Sequence, residues 1–196
     1  MVFRNRCADG GQILPNKLPP LSGLPPIIDE RSRVLVLGSF PSVQSLEKRQ
    51  YYGNRLNQFW GIMETLFGID RDWAYARRTV ALLDGGVAVW DVIAACRREG
   101  SGDDAIKDAE ANPIMDMLRS HPRIQYVAFN GSTAWATARR LLPGVFQMPG
   151  AHCERMPSTS PKHARRSLEE KAASWASIRK WLRMCDNEPQ VNGDGN

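Results

Sequence analysis

Two proline-bounded loops, far apart in the chain, hold the residue types best suited to chemistry. The first, Gly38-Ser39-Phe40-Pro41-Ser42, follows the apolar run Val34–Leu37. The second, Pro157-Ser158-Thr159-Ser160-Pro161, precedes a long basic amphipathic segment. Each falls where a buried parallel strand hands over to a loop, and ligands of open α/β sheets bind at that edge. Two such loops facing one crevice can grip a backbone from both sides. Free N–H groups of Ser39 and Phe40 would serve as donors to an anion or a carbonyl. Tyr51-Tyr52 offers a flat face to a planar ligand. Asn57 carries a donor and an acceptor together, and it is equally suited to capping the helix that follows. Asp91 brings a carboxyl to a strand end, where it also reads as a turn cap. Lys162, Arg165 and Arg166 open the last helix, where phosphate contacts gain from side-chain charge and N-terminal amides. Alone, they read as solvated helix charges.

Positioning these groups requires a frame. Short apolar runs bounded by Gly, Asp or Asn predict doubly buried strands at Val34–Leu37, Val87–Trp90 and Tyr126–Phe129. His152–Met156 is a weaker fourth strand because it carries Glu154 and Arg155. Helical periodicity predicts helices at Asn57–Phe67, Trp73–Leu83, Pro113–Arg119, Ser132–Leu142 and Ala164–Met184. The last aligns Leu168, Ala172, Trp175, Ile178 and Leu182 on one stripe. Strand–helix alternation implies an α/β fold, a three-layer αβα sandwich around a four-stranded, mostly parallel sheet. Residues 1–25, rich in Gly and Pro, are expected as an irregular arm. Residues 26–185 form the single domain, and 186–196 a flexible tail.

A chain of 196 residues with 42% hydrophobic and 24% charged residues buries a full core. A formal net charge of +5 permits a polyanionic partner without requiring one. The four cysteines are scattered without a CxxC, and the three histidines show no metal spacing. Reduced thiols, no metal and a cytoplasmic location are therefore expected. No apolar run approaches the roughly 20 residues of a membrane span.

The segment Gly38–Trp60 resembles motif 1 of the uracil-DNA glycosylase superfamily, with its G-x-x-P opening, an aromatic pair and N-x-F-W. The Phe40-Pro41-Ser42 variant, Trp90-Asp91-Val92-Ile93, Phe129-Asn130-Gly131 and Pro157–Pro161 are most similar to the deoxyinosine (hypoxanthine)-DNA glycosylase family. The resemblance runs from about Pro25 to Met184. It implies cofactor-free hydrolysis of the N-glycosidic bond of a deaminated base extruded from single- or double-stranded DNA. It further implies a base-excision-repair enzyme acting as a monomer and not at a membrane. Ser39, Phe40, Tyr52, Asp91 and Asn130 would surround the base, with Tyr52 as stacking platform and Asp91 as edge reader. An ionised Asp91 would accept the N–H that hypoxanthine and uracil share and reject adenine, whose ring nitrogen is bare. It would also oppose the charge developing on a leaving purine, unless one of the two is protonated. Ser42, Ser158, Thr159, Ser160, Lys162, His163 and Arg165 would contact DNA.

Two positions depart from better-known branches of the superfamily. Phe40 stands where many place an Asn or Asp that orients water, and Met156 where some place a His. The resemblance makes Asn57 the substitute, joined by Asp91 as catalytic residue. The second loop lacks the bulky apolar plug of other branches, which leaves Lys162 or His163 to fill the stack. No lysine occupies a position suited to a Schiff base, which implies a monofunctional enzyme. A uracil-preferring mismatch glycosylase and a catalytically weak damage-binding module remain open. A serine hydrolase is disfavoured, because GSFPS is not G-x-S-x-G and no histidine lies in triad order.

Overall fold

The computed structural model describes residues 19–163 and 165–186, so residues 1–18 of the expected arm and 187–196 of the expected tail lie outside the described residues. The chain runs β1 (Leu21–Ser22), β2 (Val34–Gly38), α1 (Val43–Lys48), α2 (Phe59–Phe67), α3 (Tyr75–Asp84) and β3 (Val87–Asp91). It continues through β4 (Ile93–Arg97), β5 (Lys107–Ala111), α4 (Ile114–Ser120), β6 (Tyr126–Asn130), α5 (Ser132–Leu141), β7 (His152–Met156) and α6 (Leu168–Asp186).

The four expected strands form one sheet in the order β3-β2-β6-β7, every pair parallel, with helices packed around it. Every residue of β2 and β3 is buried, as continuous apolar runs require when both faces are covered. At the edge, β7 keeps Glu154 and Arg155 tolerable because one flank has no neighbour. The stripe on α6 is real: Ala172, Trp175, Ile178 and Leu182 are buried in the main core.

Several helices start later than their periodicity predicts, and for α2 and α6 local hydrogen bonds explain the delay. The Phe59 N–H donates to Asn57 Oδ1 at 3.0 Å, a turn that holds Asn57 outside α2. Before α6, Pro161–His163 forms a short 3₁₀ turn. Ser167 and Glu170 then close a capping box, with Glu170 N–H donating to Ser167 Oγ at 3.2 Å and Ser167 N–H to Glu170 Oε2 at 2.7 Å.

A second sheet was not expected. β1, β4 and β5 form an antiparallel ribbon, so the described end of the expected arm is a strand paired with β4. The β5 sequence Lys-Asp-Ala-Glu-Ala has low strand propensity and no apolar alternation. Its conformation comes from pairing with β4 through an irregular register, with Asp108 at φ 48°. Phe40, Ile93 and Cys96 form a small separate core beneath this ribbon.

The second loop is fastened to the sheet edge by Thr159, which is 0% exposed. Its N–H donates to Asn130 Oδ1 at 2.9 Å and its Oγ1 accepts from Asn130 Nδ2 at 2.8 Å. Its carbonyl accepts from the Gln58 N–H at 3.0 Å, which joins the loop to the start of α2. From α6, Trp175 Nε1 donates to the Pro157 carbonyl at 3.0 Å. Lys171, only 1% exposed, donates to Gln58 Oε1 at 2.6 Å and to the His163 carbonyl at 2.9 Å. Thr159→Val keeps the shape but leaves the Asn130 amide short of a buried partner. It should lower the unfolding free energy by about 1–3 kcal/mol in urea denaturation, and an unchanged midpoint would remove Thr159 from this role.

Candidate active site

Between the two loops lies a cavity of about 390 Å³ at the C-terminal edge of the parallel strands. Among its lining residues are Ser39, Phe40, Ser42, Tyr52, Asn57 and Asp91 from the first half of the chain. From the second come Asn130, Ser158, Thr159, Ser160, Lys162 and His163. Every candidate except Arg165 therefore meets at one place; Arg165 lines the neighbouring cleft with Arg166. Lining a cavity and facing a ligand differ, however, and several side chains are already engaged.

Asn130, expected beside a base, has its amide oxygen and one amide hydrogen bound to Thr159. Thr159, expected at a phosphate, is enclosed completely. Both act by shaping the second loop. Ser42 Oγ caps α1, accepting from the Ser45 N–H at 3.2 Å. The Phe40 ring, 6% exposed, packs in the small core with the Arg98 guanidinium carbon 4.9 Å from its centroid. The position is apolar because its side chain packs into the small core beneath the antiparallel ribbon. The second loop packs closely against Gly131, which follows β6 and whose φ of 97° favours glycine. A Cβ there would meet Ser158 Cβ at 2.8 Å.

The aromatic pair divides its labour. Tyr51 is core, with its hydroxyl donating to the Leu24 carbonyl at 3.0 Å. Tyr52 sits at φ 54°, a left-handed conformation uncommon for a side-chain-bearing residue. Its ring stacks on Phe59 with centroids 4.0 Å apart and 21° between planes, and the residue lines the cavity. Burial first, and then the Asp91 charge, raise the Tyr52 phenol above its ordinary value, with Asn130 countering part of the rise.

Asn57 is both cap and candidate. A backbone N–H can be met only by the amide oxygen, so the bond from Phe59 fixes the orientation of the side chain. What Asn57 retains for the cavity is its NH₂ group, a donor.

Asp91 is 4% exposed, and its Oδ2 is buried without a hydrogen-bond partner. Gly38 lies opposite it in register. A Cβ at Gly38 would lie 2.1 Å from Asp91 Oδ1, so Gly38 provides room for the carboxyl. Gly38, expected within the first loop, instead ends a regular strand. Burial above all, and then the negative charge of Asp103, push the Asp91 pKa up to about 8, with Arg98 opposing. A group of that kind is mostly neutral at pH 7.

Sequence reasoning missed Asp103 and Arg98, both brought by the β4–β5 hairpin. The Ser39 hydroxyl lies 2.9 and 3.0 Å from the two Asp103 carboxyl oxygens and donates to them. Arg98, nearly buried, donates to the Pro41 carbonyl at 2.6 Å. Desolvation lowers its pKa. The hairpin tip also meets the second loop, where Lys162 Nζ lies 3.7 Å from Asp104 Oδ1. The only sequence signal was the turn-rich run Gly100-Ser101-Gly102-Asp103-Asp104. Among the described residues, no cluster of three or more His, Cys, Asp or Glu is placed to hold a metal ion.

The chain is similar to two curated proteins named hypoxanthine DNA glycosylase. The one from Methanosarcina acetivorans is 34% identical over 157 residues, covering 80% of this chain and 96% of that protein. The one from Methanosarcina barkeri is 34% identical over 155 residues, covering 79% and 94%. Its fold matches the solution NMR structure of a candidate uracil DNA glycosylase from Methanosarcina acetivorans with a TM-score of 0.72 and 32% identity. That match covers 84% of this chain and 99% of the other. The family model of the uracil DNA glycosylase superfamily matches residues 25–183, a span that holds both loops, the hairpin and nearly all of α6. The chain belongs to the uracil DNA glycosylase superfamily.

Proposed function

We propose that the chain is a monofunctional DNA glycosylase that releases hypoxanthine from deoxyinosine, acting as a monomer on DNA. One observation carries this reading: a neutral buried carboxyl, an aromatic face and an oriented amide donor line a single cavity at the parallel-strand edge. Its volume lies within the range of about 300–1,000 Å³ typical of small-ligand pockets.

In this reading the extruded base stacks on Tyr52. The neutral Asp91 carboxyl accepts from the purine N1–H through its carbonyl and donates its O–H to O6. As the glycosidic bond breaks, negative charge spreads onto the base, and a neutral acid stabilises it where a carboxylate would oppose it. The Asn57 NH₂ group donates to the departing ring. The negative charge of Asp103 favours the cationic character that develops on the sugar. Water then adds its oxygen to C1′ and its proton passes to the departed base anion, leaving an abasic site and neutral free base.

Protonation changes the account of selectivity. A neutral carboxyl presents a donor beside an acceptor, so it can pair with adenine as well as with hypoxanthine. Discrimination therefore rests on extrusion, which costs less for a mismatched base than for a paired adenine. Uracil presents the same lactam edge, which keeps it as the second substrate.

Product analysis on duplexes carrying inosine, uracil, xanthine or ethenocytosine tests the assignment. Free hypoxanthine should appear fastest; faster release of uracil would overturn the purine preference, and binding without release would favour a damage sensor. Excision should stay level below about pH 8 and decline above it as Asp91 ionises. Asp91→Asn keeps a donor–acceptor pair and should abolish that decline. Because burial raises the folded-state pKa from 3.8, the wild-type protein loses stability as pH rises from about 4 toward 8. Asp91→Asn should therefore raise the melting temperature at pH 7, with the gain vanishing near pH 4. Asn57→Ser keeps a capping oxygen and removes the amide donor. Its stability should stay within about 0.5 kcal/mol, while excision falls by at least about a hundredfold; equal losses in both would reduce Asn57 to a cap.

A further inference from the structure

Leu56 is 72% exposed, more than any other large apolar side chain among the described residues. It sits in the short turn that carries two cavity-lining amides, Asn54 and Asn57. Arg55 and Leu56 themselves line the groove on the outer side of this turn. That groove presents Lys48, Arg55, Arg71 and Arg78, with Arg71 paired to Glu64 at 2.6 Å and Arg55 3.9 Å from Asp72. The turn thus forms the wall between a cavity sized for a base and a channel whose lining keeps a net positive charge.

The turn is braced. The Leu56 N–H donates to Asn54 Oδ1 at 2.9 Å, and the Asn57 N–H to the Asn54 carbonyl at 2.9 Å. Lys48 Nζ donates to the Gly53 carbonyl at 2.9 Å, and the adjoining Gln58 N–H binds Thr159. An ordered backbone therefore holds an apolar side chain in water at the cavity rim. Across the mouth, the second loop offers small hydroxyls, with Thr159 wholly enclosed and Lys162 beside Asp104.

We propose that Leu56 enters duplex DNA as a wedge, filling the gap left in the base stack when the target nucleotide swings into the cavity. The proposal rests on the glycosylase reading above. Apolar side chains inserted between base steps partly unstack them, and a preformed turn supplies the wedge without further ordering. The basic groove behind Leu56 receives phosphates of the bent backbone. This assigns the stack-filling role to the turn before α2, in place of Lys162 or His163.

The test compares kcat/KM on inosine in duplex and in the same strand alone, because a single strand has no opposing stack to fill. In Leu56→Ala the duplex-to-single-strand ratio should fall about tenfold, equivalent to about 1.4 kcal/mol. Leu56→Phe should keep it. A 2-aminopurine beside the inosine should brighten when the wild-type protein binds the duplex, and Leu56→Ala should lose most of that signal. Because the side chain is exposed, both variants should melt with the wild type. An unchanged ratio and unchanged 2-aminopurine signal in Leu56→Ala would overturn the wedge, as would a fall of the ratio in His163→Ala alone. If the wild-type protein released no base from either substrate, the glycosylase reading would fail and the wedge with it.

Discussion

The site depends on one buried contact, the two-point pairing of the Asn130 amide with Thr159. One partner ends a central parallel strand and the other sits in a loop that no sheet hydrogen bond reaches. Because Thr159 also accepts from the Gln58 N–H, a single residue ties the strand edge, the second loop and the start of α2 together. Lys171 and Trp175 reinforce the same junction from the C-terminal helix. Cavity shape is thus set by polar bonds partly shielded from water, where leaving an enclosed partner such as Thr159 unsatisfied is costly. Asn57 and Thr159, far apart in the chain, keep their spacing because they share this anchor.

Around that anchor the fold accepts an electrostatic liability. Asp91 is enclosed, lacks a partner for Oδ2, and faces another carboxylate. Nothing in core packing favours such a group, and the strand register even surrenders a side chain at Gly38 to make room for it. The small ribbon then adds a cation, Arg98, that offsets part of the cost without closing an ion pair. Strain of this kind concentrates where binding or catalysis uses it.

Much of this was legible in the chain, for a physical reason. Val34–Leu37 and Val87–Trp90 had to be strands covered on both faces because their apolar runs lack a polar face. The α6 stripe likewise forced one helix against the core. Both loops were readable because Gly and Pro restrict backbone choices locally. Lys107–Ala111 was not readable, since its strand conformation comes from a partner strand and leaves no period in its own residues. Asp103 was hidden with it. Asn130 was found, but its tie to Thr159 was not: residue type tells that an amide will bond, while its partner is a property of three-dimensional proximity. Asn57 showed the reverse, a cap and a cavity donor at once, with the cap deciding which end of the amide is free.

Phe40 has a consequence for how this branch can change. In related branches the resemblance places a water-orienting amide or carboxylate at this position, and here an aromatic ring anchors the small core and lies against a guanidinium. Placing such a polar group here would hollow out that core and loosen the hairpin that carries Asp103. A water-orienting side chain at this position is therefore not one substitution away. The ribbon leaves the chemistry to the other walls of the cavity.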